Sequence, residues 1–223
     1  MFDISKLILH KKNFLSQNEC ETLINYYEIH KNKSEKEHCL EASTNQDTWS
    51  TFNKVNIPCG SQVYNIVASA IENIINTYHS YTDKFKMFHS YRKNSLLYSH
   101  QIRLMKYEVG NKIHPHVDHS PHVYGSCTFN LNNNYSGGEF CFFRGKKKIN
   151  LKQGDVLIFP ADYHWVHEVR PVTKGIRYSL NCFLLDVPES IRQELEIKRN
   201  ELMEKYIFNP EDGVRYNIDK KPN

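Results

Sequence analysis

Chemistry can be built from three residues of this chain. The run His114-Pro115-His116-Val117-Asp118-His119 contains a His-x-Asp pair, and Val166-His167-Glu168-Val169 supplies a further imidazole downstream. Two imidazoles and one carboxylate can cap one face of a metal and leave three positions open. That facial set is the usual cage for a non-haem Fe(II) that activates oxygen. Arg177 follows His167 by ten residues and offers an always-charged planar fork that suits a carboxylate. The residue types therefore ask for a metal and for a second, anionic ligand.

Alternation along a strand sorts the candidates. His116 and Asp118 point the same way, and so does His114. A local His114/His116/Asp118 set is disfavoured, because successive same-face residues on one strand diverge with distance. A third ligand from a neighbouring strand converges better. His164 and His167 are the two choices, and His167 is preferred because Val166-His167-Glu168-Val169 alternates like a strand. His119, His122 and His164 read as ordinary histidines. Around Arg177, the residues Ile176, Tyr178, Leu180 and Cys182 form one face, and Arg177, Ser179, Asn181 and Phe183 the other. A buried Arg is costly without a charge partner. That partner is either a ligand carboxylate or an internal acid such as Glu139 or Glu168. The Tyr107 hydroxyl either donates to the same ligand carboxylate or packs in the core.

These residues need a scaffold. Ser16-Gln17-Asn18-Glu19 fits a capping box that opens a first helix. Val63, Ile66, Val67, Ala70, Ile71, Ile74, Ile75 and Tyr78 recur at helical spacing and predict a second helix over about 61–78, its stripe covering a sheet. Between them, 31–60 reads as a long polar loop carrying Trp49, with 41–60 expected to act as a lid. Trp49 is either an anchor or a substrate-facing aromatic. From about residue 100 the pattern turns to short strands over 101–108, 113–118, 125–132, 139–144, 155–159, 166–170 and 176–185. Turn signals such as Gly137-Gly138 and Gly154-Asp155 separate them, which indicates a sandwich or barrel. Pro188, Ile191, Leu195, Ile197, Leu202 and Met203 suggest a closing helix, and 209–223 is expected to fray.

At 223 residues the chain is read as a single domain: helical support over about 14–80, a β core over about 100–185, and a helix and tail over 186–223. The net charge of +4 is mild and lacks the dense basic stripe of a nucleic-acid binder; Lys146-Lys147-Lys148 reads as a hairpin tip. There is no apolar signal region and no run of 18 apolar residues, so no membrane association is expected. Six cysteines without a C-x-x-C pair point to free thiols in a reducing, cytoplasmic setting. The oligomeric state stays open.

The run Tyr107-x-x-Gly110, His116-x-Asp118, Leu131-Asn132, Gly137-Gly138-Glu139-Phe140, Gly154-Asp155-Val156-Leu157-Ile158-Phe159-Pro160 and His167-x-Val169-x-Pro171-Val172-x-x-Gly175-x-Arg177-Tyr178-Ser179-Leu180 resembles the prolyl 4-hydroxylase-like branch of the Fe(II)/2-oxoglutarate-dependent dioxygenases. The likeness covers about 14–185. It implies a mainly β fold with supporting α-helices and a double-stranded β-helix (jelly-roll) core. It implies Fe(II) on His116, Asp118 and His167, 2-oxoglutarate paired with Arg177 and Tyr107, O2 as oxidant, and ascorbate as an optional accessory. Asn130 falls where some relatives carry another Tyr; Asn130 and Ser179 are further candidates for the 2-oxoglutarate cradle. Trp49 and Arg103 are candidates for substrate contact. Because Asp118 retains a carboxylate where related halogenases have a small residue, the likeness favours hydroxylation. The implied substrate is a prolyl residue in a peptide or protein. Other targets (a free amino acid, a small metabolite, a nucleic-acid base) and a non-catalytic binding module are the alternatives.

Overall fold

The computed structural model describes residues 3–41, 46–86, 96, 98–119, 122–186, 193, 197, 206–209 and 214–217. Helix α1 spans Gln17–His30. The Ser16 hydroxyl accepts from the Glu19 amide while the Glu19 carboxylate accepts from Ser16, so the capping box forms as the sequence predicts. Helix α2 spans Tyr64–Asp83 and buries Val67, Ala70, Ile71, Ile74, Ile75 and Tyr78 along one stripe. Among the described residues no helix is long and apolar enough to cross a membrane.

The strands are β1 (Leu9–Lys11), β2 (Glu35–Glu41), β3 (Gln46–Asn56), β4 (Tyr98–Tyr107), β5 (Ile113–His116), β6 (Val123–Asn130), β7 (Tyr135–Gly137) and β8 (Phe140–Phe142). They continue with β9 (Lys147–Ile149), β10 (Val156–Pro160), β11 (His167–Val169), β12 (Val172–Gly175), β13 (Arg177–Leu185), β14 (Tyr206–Asn209) and β15 (Val214–Asn217). The large sheet runs β1-β10-β6-β13-β4-β3-β2 and the small one β5-β11-β8-β9, with β12-β7 as a separate pair. From β4 to β13 the chain keeps crossing between the two sheets. β4, β6, β10 and β13 lie in the large sheet, and β5, β8, β9 and β11 in the small one. That winding is a jelly roll.

Period-two alternation gives the large sheet two different faces. Leu104, Cys127, Phe129, Val156, Ile158, Leu180, Cys182 and Leu184 point outward and share a core with α1 and α2. Met105, Tyr107, Leu157 and Phe159 point inward and meet Phe140, Phe142 and Val169 of the small sheet. The buried Asp155 fastens the N-terminal segment to this frame. Its carboxylate accepts from the amides of Asn13 and Lys152 and sits 2.8 Å from the His10 ring.

Three expectations are corrected. Residues 31–60 are not an irregular lid: after a turn at Lys31–Lys33, β2 and β3 form an antiparallel hairpin that extends the large sheet through β3–β4 pairing and packs on β5. The strands were hidden because their apolar residues share no period. Phe52 enters the inner core while Val55 and Ile57 enter the helical one, and a register shift between Lys36 and His38 breaks the alternation. Trp49 stands in β3 opposite His38; its side chain, with those of 38–41 and 46–50, lies outside the described residues. At the C-terminus, Gln193 and Ile197 are helical, while Ile191, Leu195, Leu202 and Met203 lie outside the described residues. Within the stretch 209–223 that was expected to fray, Asn209 and Val214–Asn217 belong instead to the β14–β15 hairpin, and the rest lies outside the described residues. The lysine run is not only a tip: Lys147 and Lys148 belong to β9.

Candidate metal and co-substrate site

Antiparallel pairing sets His167 of β11 directly opposite His116 of β5, which brings the two imidazole rings to 4.3 Å between centroids. Asp118, two residues beyond His116, reaches between them. Its Oδ1 lies 3.4 Å from His116 Nε2 and its Oδ2 3.4 Å from His167 Nε2. One ligand atom from each residue falls within 4.8 Å of the others, the one such group among the described residues.

Second contacts fix which nitrogen faces the cavity. His116 Nδ1 lies 2.8 Å from the His114 carbonyl, and His167 Nδ1 lies 2.9 Å from the Trp165 carbonyl. Each Nδ1 therefore carries the proton and donates it, which leaves the Nε2 lone pair for a metal. His114 thus contributes its carbonyl, not its ring. The other sequence candidate, His164, is more than half exposed and pairs with Asp162 at 2.8 Å, outside the group.

Burial acts on these groups first. It pushes the His167 ring down to about 4, against the attraction of Asp118. Burial alone would raise Asp118. The adjacent His167 and His116, with Ser126, outweigh it and hold the carboxyl well below the usual carboxylate range. A neutral imidazole beside an ionised carboxylate is the protonation state that a divalent cation requires. Three phenylalanines hold the His167 ring in place: Phe140 stacks on it at 5.3 Å and 10°, Phe159 meets it edge-on at 5.0 Å, and Phe142 lies at 5.9 Å. Sequence reasoning did not identify this brace, since nothing in its spacing separates it from ordinary core.

Arg177 is 1 % exposed and is the largest fully buried side chain described. Its Nη1 donates to Ser179 Oγ at 3.4 Å, its guanidinium carbon lies 4.9 Å from the Tyr107 ring centroid, and its Nε has no acceptor among the described residues. The two acids proposed as internal partners are engaged elsewhere, Glu139 with Lys148 at 2.7 Å and Glu168 with Arg170 at 3.2 Å. Among the described residues Arg177 has no acidic partner, and a buried lone guanidinium costs several kcal/mol unless a ligand anion meets it. Tyr107 is fully buried. Burial raises its phenol, and the Arg177 and Arg103 cations offset part of that. Its hydroxyl lies 3.6 Å from Met105 Sδ and within reach of the Arg177 and Ser179 side chains.

Asn130 is already engaged on both sides. Its Nδ2 donates to the Asn132 carbonyl at 2.7 Å and its Oδ1 accepts from the Tyr135 hydroxyl at 3.0 Å. Tyr135 was not singled out in the sequence, although it stands beside Gly138. Gly138 adopts φ +65°, and a Cβ there would come within 3.0 Å of Arg177 Cδ. Only glycine lets the β7–β8 turn lie against the arginine stem. Arg103 faces the same interior four positions before Tyr107 but is paired with Glu37 at 2.9 Å.

Residues 102–185 match the profile of the 2OG-Fe(II) oxygenase superfamily. This segment is similar to a 2OG-Fe(II) oxygenase domain. It holds all three candidate ligands and Arg177, and the superfamily implies Fe(II), 2-oxoglutarate and O2. A PKHD-type hydroxylase of Idiomarina loihiensis is 31 % identical over 117 residues, covering 43 % of this chain; the chain spans about half of that relative, 53 % of its length. Among solved structures, the viral collagen prolyl hydroxylase of Paramecium bursaria Chlorella virus-1 superposes with a TM-score of 0.60 at 17 % identity, over 81 % of this chain and 97 % of that one. The Pseudomonas putida prolyl-4-hydroxylase gives 0.60 at 15 %, over 81 % and 93 %. A Trichoplax adhaerens prolyl hydroxylase bound to a hypoxia-inducible-factor peptide gives 0.61 at 15 %, over 82 % and 84 %. The structural likenesses show the jelly-roll fold.

The residues present fit both implied groups. Two Nε2 lone pairs and a carboxylate face one point, and an unpaired buried guanidinium faces the same interior. His116, Asp118 and His167 would hold the iron, and Arg177, with the Tyr107 hydroxyl, would hold the far carboxylate of 2-oxoglutarate.

Proposed function

We propose that this protein is an Fe(II)- and 2-oxoglutarate-dependent dioxygenase that hydroxylates a prolyl residue in a peptide or protein, in a reducing, cytoplasmic setting. One observation carries the reading: the His116/Asp118/His167 group and the unpartnered Arg177 guanidinium share a single buried interior. Either alone has an ordinary explanation, but together they match a metal and a chelating dicarboxylate. When bound, the iron would supply oxygen activation coupled to 2-oxoglutarate decarboxylation. The chain's own residues do the rest. His114 and Trp165 carbonyls fix the imidazole tautomers, the phenylalanines keep water from His167, and Arg177, Ser179 and Tyr107 orient the dicarboxylate. The prolyl target is supported by the fold likeness to prolyl hydroxylases. Ascorbate enters only as an external reductant.

The test adds Fe(II) and 2-oxoglutarate to purified protein with a library of proline-containing peptides. Succinate release and a 16-Da mass gain on proline are the expected results. Succinate release that rises only with a non-peptide substrate would replace the prolyl reading while keeping the dioxygenase.

A further inference from the structure

Arg103 is the second buried arginine of the inner wall, and it is 7 % exposed. Its Nη1 donates to Glu37 Oε1 at 2.9 Å and to Gln101 Oε1 at 3.4 Å, and the Phe183 ring lies 4.9 Å beneath its guanidinium carbon. Among the described residues its buried Nε has no acceptor. The Nε edge of a guanidinium is one of those a carboxylate meets with two parallel hydrogen bonds. Lys54 Nζ also lies on Glu37, 2.7 Å from Oε2. One carboxylate thus serves two cations, and the trio keeps a net positive charge in side chains that are 8 to 19 % exposed.

Register places this cluster. On β13, Arg177 pairs with Tyr107 and Asn181 with Arg103, four residues apart, which is roughly 13 Å along a strand. Phe183, the ring under Arg103, pairs with Ser126, and Ser126 pairs in turn with Phe159, whose ring meets the His167 ring at 5.0 Å. Arg103 therefore stands at the level of the metal ligands, and Arg177 stands deeper. A 2-oxoglutarate that reaches from the metal to Arg177 runs away from Arg103. Among the described residues no acid meets this edge, which leaves it open to an anion from another molecule.

We propose that Arg103, with Lys54 and Glu37, forms a subsite for a carboxylate carried by the oxidised substrate, so that the preferred peptide has an acidic residue close to the target. This rests on the reading of the site as a 2-oxoglutarate-dependent hydroxylase.

The test uses full-length protein loaded with Fe(II) and 2-oxoglutarate under anaerobic conditions. Loading is followed by the absorption of the iron–2-oxoglutarate chelate. Three fluorescent decapeptides with a central proline, flanked on both sides by Glu, Gln or Lys, are then titrated. The Glu peptide should bind about ten-fold more tightly than the Gln peptide, as expected for one charge-assisted contact, and the Lys peptide least tightly. Arg103→Gln should abolish the discrimination. Because that variant can disturb the β2–β3 hairpin, Glu37→Gln provides an independent arm: it leaves Arg103 in place, removes the internal competitor, and should widen the Glu-over-Gln preference. Equal affinities for the three peptides, binding of none, or a Glu37→Gln variant with a reduced preference would each overturn the subsite while a normal chelate band leaves the hydroxylase reading standing. Loss of the chelate band in the wild-type protein would overturn both.

Discussion

The two walls of the barrel interior are built on opposite principles. On the small-sheet wall, His116 and His167 each spend one ring nitrogen on a backbone carbonyl, and aromatic rings pack around His167. That wall is preorganised without a substrate. On the large-sheet wall, Ser126, Thr128, Asn130, Arg103, Arg177 and Ser179 are all buried polar groups, and among the described residues Arg103 Nε and Arg177 Nε have no acceptor. Leaving donors unmade in a low-dielectric interior is costly. Such a wall is explained by ligands that supply the missing acceptors. One wall therefore fixes geometry, and the other holds binding energy in reserve.

The largest effect expected from breaking this division is on the small-sheet wall. His116→Ala, Asp118→Ala and His167→Ala should each abolish turnover and weaken Fe(II) binding by at least one to two orders of magnitude, because a facial set missing one ligand holds the ion poorly. Calorimetric titration with Fe(II) under nitrogen checks this. Normal iron affinity in His167→Ala would remove the residue from the set.

Next comes the deep end of the large-sheet wall. Arg177→Ala should weaken 2-oxoglutarate binding by about 2–5 kcal/mol while iron binding persists, since the buried ligand carboxylate loses its charged partner. Arg177→Met sharpens the comparison. It fills much the same volume without an unpaired cation, so the ligand-free protein should melt at the same temperature or higher even as 2-oxoglutarate affinity collapses. A lower melting temperature in Arg177→Met would mean that the guanidinium supports the fold rather than waiting for a ligand.

How far the two walls were legible in the sequence follows from the same division. His116, Asp118, His167 and Arg177 could be read because strand alternation puts them on the inner face and their chemistry has few other uses there. The structure brings His167, not His164, to His116 and Asp118, since alternation distinguishes a strand residue from one in the preceding turn. The Phe140/Phe142/Phe159 brace was not legible: its rings are spaced like any strand core. The β2–β3 hairpin was hidden by its register shift and by apolar residues that divide between two cores. Glu37, which decides what Arg103 is free to do, lies inside that hairpin. The partner of a buried charge is a fact of tertiary structure, and no local pattern marks it.

A smaller effect is expected from acid. The folded His167 has its pKa lowered to about 4 from an ordinary 6.5. Between those values the unfolded chain binds a proton that the folded metal-free protein refuses, so stability falls as pH drops from 6.5 towards 4. The full penalty is about 3 kcal/mol. Asp118, held low in the fold, adds loss in the same direction at more acid pH. Urea titrations of metal-free protein at pH 7, 5.5 and 4.5 should show declining midpoints, and His167→Gln should flatten the decline above pH 4.5. An unchanged slope in that variant would place the acid sensitivity elsewhere.

The smallest effect is also the sharpest control on the small-sheet wall. His164 lies three residues before His167 and carries the same chemistry, yet its ring stands outside the barrel, against Asp162 and over Tyr163 at 4.0 Å between centroids. An exposed pair of this kind contributes well under about 1 kcal/mol, because water screens the charges and both side chains lose freedom in meeting. His164→Ala should therefore leave the Fe(II) titration unchanged and shift stability by no more than about 0.5 kcal/mol. The Asp162 carboxylate also accepts the His164 backbone amide at 2.9 Å, a contact that survives the substitution and keeps the turn into β11 intact. If His164→Ala weakened iron binding as His167→Ala does, geometry could not be what selects one imidazole over the other, and the description of the small-sheet wall as a preorganised, self-supporting ligand frame would fail with it.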